Sequence, residues 1–162
     1  MRYILDFDGV IFNTEILKVK MAELSGKEHL RNASVFDALV EHDPSFNLSA
    51  LVFEDARTFL REHEGACDIV SSFISSDEDN TDEVTIQAYQ QTKIERCGVA
   101  DLVGGLHVHI VGMSKAEKLA ELKADFDAQG LLCIFVDDRK EHVQMAKDVG
   151  IRAFLMDRQG DG

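Results

Sequence analysis

Apolar positions follow two rhythms along this chain, and the two alternate. Short, nearly continuous apolar runs at 2–7, 67–71, 107–111, 132–137 and 152–156 read as strands. Between them, apolar residues recurring at three- and four-residue spacing predict helices near 15–25, 34–42, 49–63, 82–97, 115–128 and 140–149. Such alternation implies parallel strands joined by crossover helices, an α/β fold with helices on both faces of one sheet. The strand at 132–137 is continuously apolar, as burial on both faces requires. Its counterpart His107-Val108-His109-Ile110-Val111 is more polar and is expected nearer a sheet edge. No internal repeat and no Gly- or Pro-rich linker divides the chain, and its single proline, Pro44, falls in a predicted loop.

The candidate chemistry sits where strands stop. Asp6-Phe7-Asp8-Gly9-Val10-Ile11-Phe12-Asn13-Thr14 follows the apolar run Tyr3-Ile4-Leu5. Two acids two residues apart on a strand would point the same way only in an unbroken pleat, and Gly9 permits a turn that brings both toward one site. Asn13 or Thr14 can cap the helix that follows. The unit therefore places acids at the carboxyl end of a strand, where open α/β sheets bind ligands. Three more signals follow in order: Cys67-Asp68-Ile69-Val70-Ser71-Ser72, Gly112-Met113-Ser114-Lys115, and Leu131-Leu132-Cys133-Ile134-Phe135-Val136-Asp137-Asp138.

This ordered set resembles the haloacid dehalogenase (HAD) superfamily, most of whose members are magnesium-dependent phosphatases, and the match spans nearly the whole chain. The resemblance implies a Rossmann-type parallel sheet with the Asp-x-Asp strand in the middle. It assigns Asp6 as the nucleophile that forms an aspartyl-phosphate, and Asp8 as the acid and base. Ser71, with Ser72 as the alternative, would bind the phosphoryl oxygens. Lys115 would bind phosphate and neutralise Asp6 and the transition-state charge. The metal ligands it implies for Mg²⁺ are Asp6, Asp8 through its backbone carbonyl, and the pair Asp137 and Asp138. The spacing of Val143, Ala146 and Gly150 favours Asp138 as the direct ligand. Related phosphatases often carry a further acid four residues beyond; here that position is His142, with Glu141 a possible substitute.

Charge then narrows the substrate. A formal net charge of −13 argues against a nucleic-acid surface, which needs clustered Lys and Arg. It also repels a phosphorylated substrate at long range, so local cations and a divalent metal must overcome it. A small phosphorylated metabolite is the expected partner, while the oligomeric state is not set by the sequence. No apolar run approaches the roughly 18 residues that would span a bilayer, and acids by position 6 break any signal-peptide pattern. Cys67, Cys97 and Cys133 are odd in number and widely spaced, which points to reduced thiols and a cytoplasmic location.

Two segments depart from plain alternation. The HAD-like core is assigned to 1–14 plus 54–162, and 15–53 to a small helical cap insertion that would hold substrate specificity. The alternative is that Ile16, Leu17, Val19, Met21, Leu24, Val35, Phe36, Leu39 and Val40 simply pack on the core. The acidic stretch 75–83 lacks the Gly and Glu of a calcium loop and reads as a solvated loop entering an acid-rich helix start. Against the phosphomonoester hydrolase stand a phosphomutase, a carbon–halogen hydrolase and a non-catalytic HAD-like protein. A halogen hydrolase needs neither Asp8 nor the acidic pair. A response-regulator receiver has its acidic pair after the first strand, the wrong order for this chain.

Overall fold

A computed structural model describes residues 1–25, 31–73, 82–112 and 114–158. Its centre is a sheet of five parallel strands: β1 (Arg2–Leu5), β2 (Cys67–Ser72), β3 (Val108–Val111), β4 (Cys133–Asp137) and β5 (Arg152–Leu155). Their order is β3-β2-β1-β4-β5, so the Asp-x-Asp strand is central and the His-rich strand is an edge, both as expected. Leu5 stands in register with Ile69 on one side and Val136 on the other. That alignment brings the acids after β1 and the acids ending β4 to one edge of the sheet.

The helices are α1 (Thr14–Ser25), α2 (Ser34–His42), α3 (Glu54–Glu62), α4 (Glu83–Arg96), α5 (Val99–Val103), α6 (Ala116–Ala128) and α7 (Lys140–Asp148). One apolar cluster joins Ile4, Val70, Phe135 and Ala153 of the sheet to Leu119, Leu122 and Phe126 of α6 and Val143 and Ala146 of α7. The other joins Leu5, Cys67 and Ile69 to α3, α4 and α5 through Leu60, Ile94 and Val103. Leu17, Met21, Val35, Phe36 and Leu39 belong to that second cluster, so α1 and α2 are continuous with the core. Phe36 of α2 stacks on Tyr89 of α4 with centroids 5.2 Å apart.

Two predicted elements differ. The helix expected over 49–63 is a 3-10 turn, Leu48–Leu51, followed by the separate α3. Asn47 caps the turn by accepting from Ser49 N at 3.0 Å. Val52 and Phe53 then take extended backbone, and Phe53 N donates to Ile11 O at 2.9 Å. Pairing with the loop after β1 thus overrides local helix preference. The second difference is α5, which lies in the stretch 98–106 where the sequence pattern predicts no element; Gly98 at φ 87° separates it from α4. Asp82 opens α4 by accepting from Thr85 N at 2.8 Å, while most of the acidic stretch lies outside the described residues. Cys67, Cys97 and Cys133 are free thiols, and burial pushes the first two up to about 11. Among the described residues no helix is long and apolar enough to cross a membrane.

Candidate active site

The loop after β1 is built by one carbonyl. Phe7 O accepts from Ile11 N at 2.9 Å and Phe12 N at 3.0 Å, and Gly9 N donates to Phe12 O at 2.9 Å. Asp6 N still donates to Val136 O at 2.9 Å, so Asp6 is held at the end of the central strand. Gly9 has φ 80°, and a Cβ there would stand 2.1 Å from Asp138 Oδ2. The glycine therefore does two things: it turns the chain and lets the acid ending β4 approach the Asp-x-Asp loop. Asn13 Oδ1 caps α1 by accepting from Ile16 N at 3.3 Å.

Lys115 stands just before α6 and is fully buried. Its Nζ donates to Asp6 Oδ1 at 2.6 Å and to Asp137 Oδ2 at 2.8 Å, joining the two acidic strand ends. Asp137 Oδ1 accepts from Arg139 N at 2.9 Å, and His142 Nδ1 lies 2.9 Å from Asp137 Oδ2. The Asp137 carboxylate is thus fully occupied by its neighbours, whereas Asp138 is exposed and faces Gly9. Glu141, the expected substitute for a further acid, is exposed on α7; the buried His142 turns inward instead.

Asp8 is held separately. Lys93 Nζ donates to its Oδ1 at 2.6 Å, as does Thr14 Oγ1 at 2.6 Å, and Gln90 Nε2 donates to Oδ2 at 2.7 Å. Gln90 Nε2 also donates to Ser71 Oγ at 2.8 Å, which ties the end of β2 to the same network. Ser71 is buried behind Gln90, while Ser72 lines the cavity above the acids. Asp6, Asp137 and Asp138 each offer a carboxylate oxygen within 4.8 Å of the others, and the Asp8 carboxylate is not part of that group.

The electrostatics follow from burial and count. Burial pushes the Asp6 carboxyl up to about 8 despite Lys115, with the charges of Asp137 and Asp8 adding to the rise. Burial and the Asp137 charge likewise raise Asp138. Asp137 is drawn down to about 2: burial opposes ionisation, but the bonds and charge from His142 and Lys115 outweigh it. Asp8 is also lowered, because Lys93 and the bonds from Thr14 and Gln90 overcome its burial. One ammonium among three converging carboxylates leaves the group short of positive charge. All-oxygen donors deficient in positive charge fit a hard divalent cation such as Mg²⁺.

Asp6, Asp8, Ser71, Lys115, Asp137 and Asp138 are therefore gathered at one sheet edge, with Ser72 in the cavity wall. Sequence reasoning missed Lys93 and Gln90. Their signal was present: Ile86, Tyr89, Gln90, Lys93 and Cys97 share one buried face of a helical repeat, and a lysine on such a face needs a buried partner.

No protein-family model matches this chain, and no curated protein matches it either. Among solved structures, a haloacid dehalogenase-like family hydrolase from Xanthomonas campestris matches with TM-score 0.54 and 12% identity, over 100% of this chain and 85% of that one. A haloacid dehalogenase-like hydrolase from Streptococcus pneumoniae matches at 12% identity and TM-score 0.49, over 95% and 83% of the two chains. A HAD family enzyme from Bacteroides thetaiotaomicron, determined with magnesium and inorganic phosphate, matches at 13% identity and TM-score 0.46, over 99% and 96%. The fold of this chain is that of the haloacid dehalogenase-like hydrolases.

Proposed function

We propose that the protein is a magnesium-dependent hydrolase of small phosphomonoesters that works through an aspartyl-phosphate on Asp6. The observation that carries this reading is the Lys115 ammonium bridging Asp6 at 2.6 Å and Asp137 at 2.8 Å, with Asp138 completing a carboxylate group within 4.8 Å. Asp6, Asp138 and the Asp8 backbone carbonyl would hold Mg²⁺, and Asp137 would contribute through its bond to Lys115 or a water. Bound there, the metal would supply positive charge that keeps Asp6 ionised and screens it from an anionic phosphate.

In this scheme an Asp6 carboxylate oxygen attacks phosphorus and the P–O bond to the alcohol breaks; Asp8, ionised in the free protein, takes the proton that a monoanionic phosphoester brings and passes it to the leaving oxygen. Water then attacks the aspartyl-phosphate, gives its proton to Asp8, and releases inorganic phosphate and free Asp6. Lys115 stabilises the charge on the transferring phosphoryl group. Lys93 and Gln90 orient Asp8, and Ser71 or Ser72 donates to the phosphoryl oxygens. The presence of Asp8 and the acidic pair favours phosphoryl transfer over carbon–halogen cleavage. The test is release of phosphate from an aryl phosphate with and without Mg²⁺, beside Asp6→Asn. Metal-dependent release that vanishes in the variant is expected; release that persists in Asp6→Asn overturns the scheme.

A further inference from the structure

Arg158 follows β5, and its guanidinium reaches back to the loop after β1. Nε and Nη2 donate to Val10 O at 3.1 and 2.6 Å. Nη1 and Nη2 donate to the two carboxylate oxygens of Asp55, in the first turn of α3, at 3.1 and 2.9 Å. The guanidinium also lies 3.8 Å over the centroid of the Phe53 ring. These bonds use all but one N–H of the fork. Arg158 lines a cavity together with Asp8, Gly9 and Asp138, but a cation so fully engaged has little left with which to grip a substrate. Its contacts suit it to holding a neighbour still.

What it holds is the turn that carries the acids. Val10 follows Gly9 and is buried, and among the described residues no backbone N–H donates to its carbonyl. Arg158 is that carbonyl's partner, and without it the turn must shift or admit water to satisfy the oxygen. Two residues before Arg158, Met156 N donates to Asp137 O at 2.8 Å, which carries the β4–β5 ladder one bond further. The segment 156–158 therefore runs from the acidic pair to the Asp-x-Asp loop. It spans the gap across which Gly9 meets Asp138, where a Cβ on Gly9 would stand 2.1 Å from Asp138 Oδ2. Asp6 and the Asp8 carbonyl lie on one side of that gap, and Asp138 lies on the other. Mg²⁺ demands near-ideal octahedral geometry at short distances, so its affinity depends on that spacing. The Asp55 side chain is 68% exposed, and an ion pair so open to water adds little by itself.

We infer that Arg158 is a positioning residue: through Val10 O it braces the loop after β1 against the acidic pair, and so sets the Mg²⁺ affinity of the site and the placement of Asp6. This rests on the hydrolase reading, which puts Mg²⁺ among these acids. Phe53 and Asp55 fix the guanidinium from outside, while the bond to Val10 O transmits its position to the site.

Calorimetric titration of the full chain with Mg²⁺ reads the brace without turnover. Binding at least threefold weaker than in the wild type is expected for Arg158→Met, and binding within twofold for Asp55→Asn. Arg158→Lys keeps one charged donor for Val10 O but not the fork, and is expected to recover part of the loss. At saturating Mg²⁺, kcat for an aryl phosphate should fall at least tenfold in Arg158→Met while KM stays within threefold, since Arg158 touches no substrate. Thermal unfolding checks that each variant is folded, and Arg158→Gln replaces Arg158→Met at the same threshold if the latter is not. A loss of Mg²⁺ affinity below threefold overturns the brace. So does an equal loss in Asp55→Asn, which would mean general anchoring of the chain rather than the bond to Val10. A wild type that binds no Mg²⁺ sinks the hydrolase reading and the brace with it. Binding and turnover with an affinity indifferent to Arg158 sink the brace alone; binding that depends on Arg158 without turnover sinks the hydrolase and leaves a braced metal site.

Discussion

Lys93 on α4 donates to Asp8 Oδ1 at 2.6 Å across 85 residues of chain, inside a cage of rings. Its Nζ stands 5.2 Å from the Tyr89 ring centroid and 5.6 Å from those of Phe7 and Phe12. A lysine in such surroundings stays charged only because the carboxylate is there: burial favours the neutral amine, and Asp8 more than reverses it. The pair therefore fixes the position of Asp8 and the docking of α4 at once.

Removing one partner should expose that dependence. Lys93→Met leaves the Asp8 carboxylate without its counter-charge, and breaking a buried pair in this way costs about 3–5 kcal/mol. Because the Asp8 side chain is 31% exposed, the lower part of that range is expected. Asp8→Asn combined with Lys93→Met should recover much of the loss, since neither charge is then stranded. Urea denaturation of the four proteins of this cycle measures the coupling, and strictly additive losses would show that the pair is not a unit.

Asp6→Asn separates chemistry from stability. The amide keeps the size of the side chain but cannot form an aspartyl-phosphate, so activity should fall below a few per cent of wild type. Stability should be unchanged or slightly higher in the metal-free protein. Burial already holds the Asp6 carboxyl up to about 8, so at neutral pH its ionised form is disfavoured and the substitution removes that penalty. Lys115 keeps Asp137 at 2.8 Å. A large drop in thermal midpoint would contradict this balance.

Metal linkage gives a readout independent of turnover. A ligand bound only by the folded state at about 100 times its Kd adds about 2.7 kcal/mol. For a chain of this size that corresponds to a rise in Tm of roughly 5–10 °C. Mg²⁺ should produce such a rise in the wild type and a much smaller one in Asp138→Asn. An equal rise in both proteins would remove Asp138 from the ligand set.

The close approach of Gly9 and Asp138 makes Gly9→Ala an informative variant. At φ 80° an alanine is strained, and its Cβ would lie 2.1 Å from Asp138 Oδ2, so the acid must move away. We expect destabilisation of about 1–2 kcal/mol and a Mg²⁺-induced rise in Tm reduced as in Asp138→Asn. A full metal response in Gly9→Ala would mean that Asp138 reaches the site from another rotamer.

The parts legible in the sequence share a cause. Asp6, Lys115 and Asp137 sit at strand or helix ends, where a local apolar run sets both the element and the place of the polar residue that stops it. The central β1 and the edge β3 follow the same way, from the character of their runs. What could not be read depends on pairing between distant segments. The 49–63 helix breaks because Phe53 N meets Ile11 O, a contact no local window contains. Lys93 and Gln90 look like ordinary members of α4 until β1 and β2 bring Asp8 and Ser71 against them. Phe36 and Met21, from the segment 15–53, likewise meet Tyr89 of α4, contacts that no local window contains.

Away from the acids, the opposite end of β2 carries its own charge network. Asp68 is buried; its Oδ1 lies 3.1 Å from both His107 Nδ1 and His109 Nε2, and its Oδ2 accepts from Arg2. Arg2 places a guanidinium beside Asp68 and His107, where it supplies the positive charge of the network. Burial alone would raise the Asp68 pKa, but the bonds from His109, Arg2 and His107 outweigh it and the net shift is downward from 3.8. The unfolded chain therefore binds this proton more readily than the native protein does. It follows that Asp68 contributes stability above the ordinary carboxylate value, and that the contribution is lost as pH falls through the lower native value. Unfolding free energies from urea titrations between pH 7 and pH 2.5 should show the wild type losing stability more steeply than Asp68→Asn below about pH 4. At pH 7 the variant itself should be less stable by about 3 kcal/mol, because Arg2 keeps its charge and loses its carboxylate. Parallel curves for the two proteins below pH 4 would show that Asp68 titrates alike in the folded and unfolded chains, and that the network adds no pH-dependent stability.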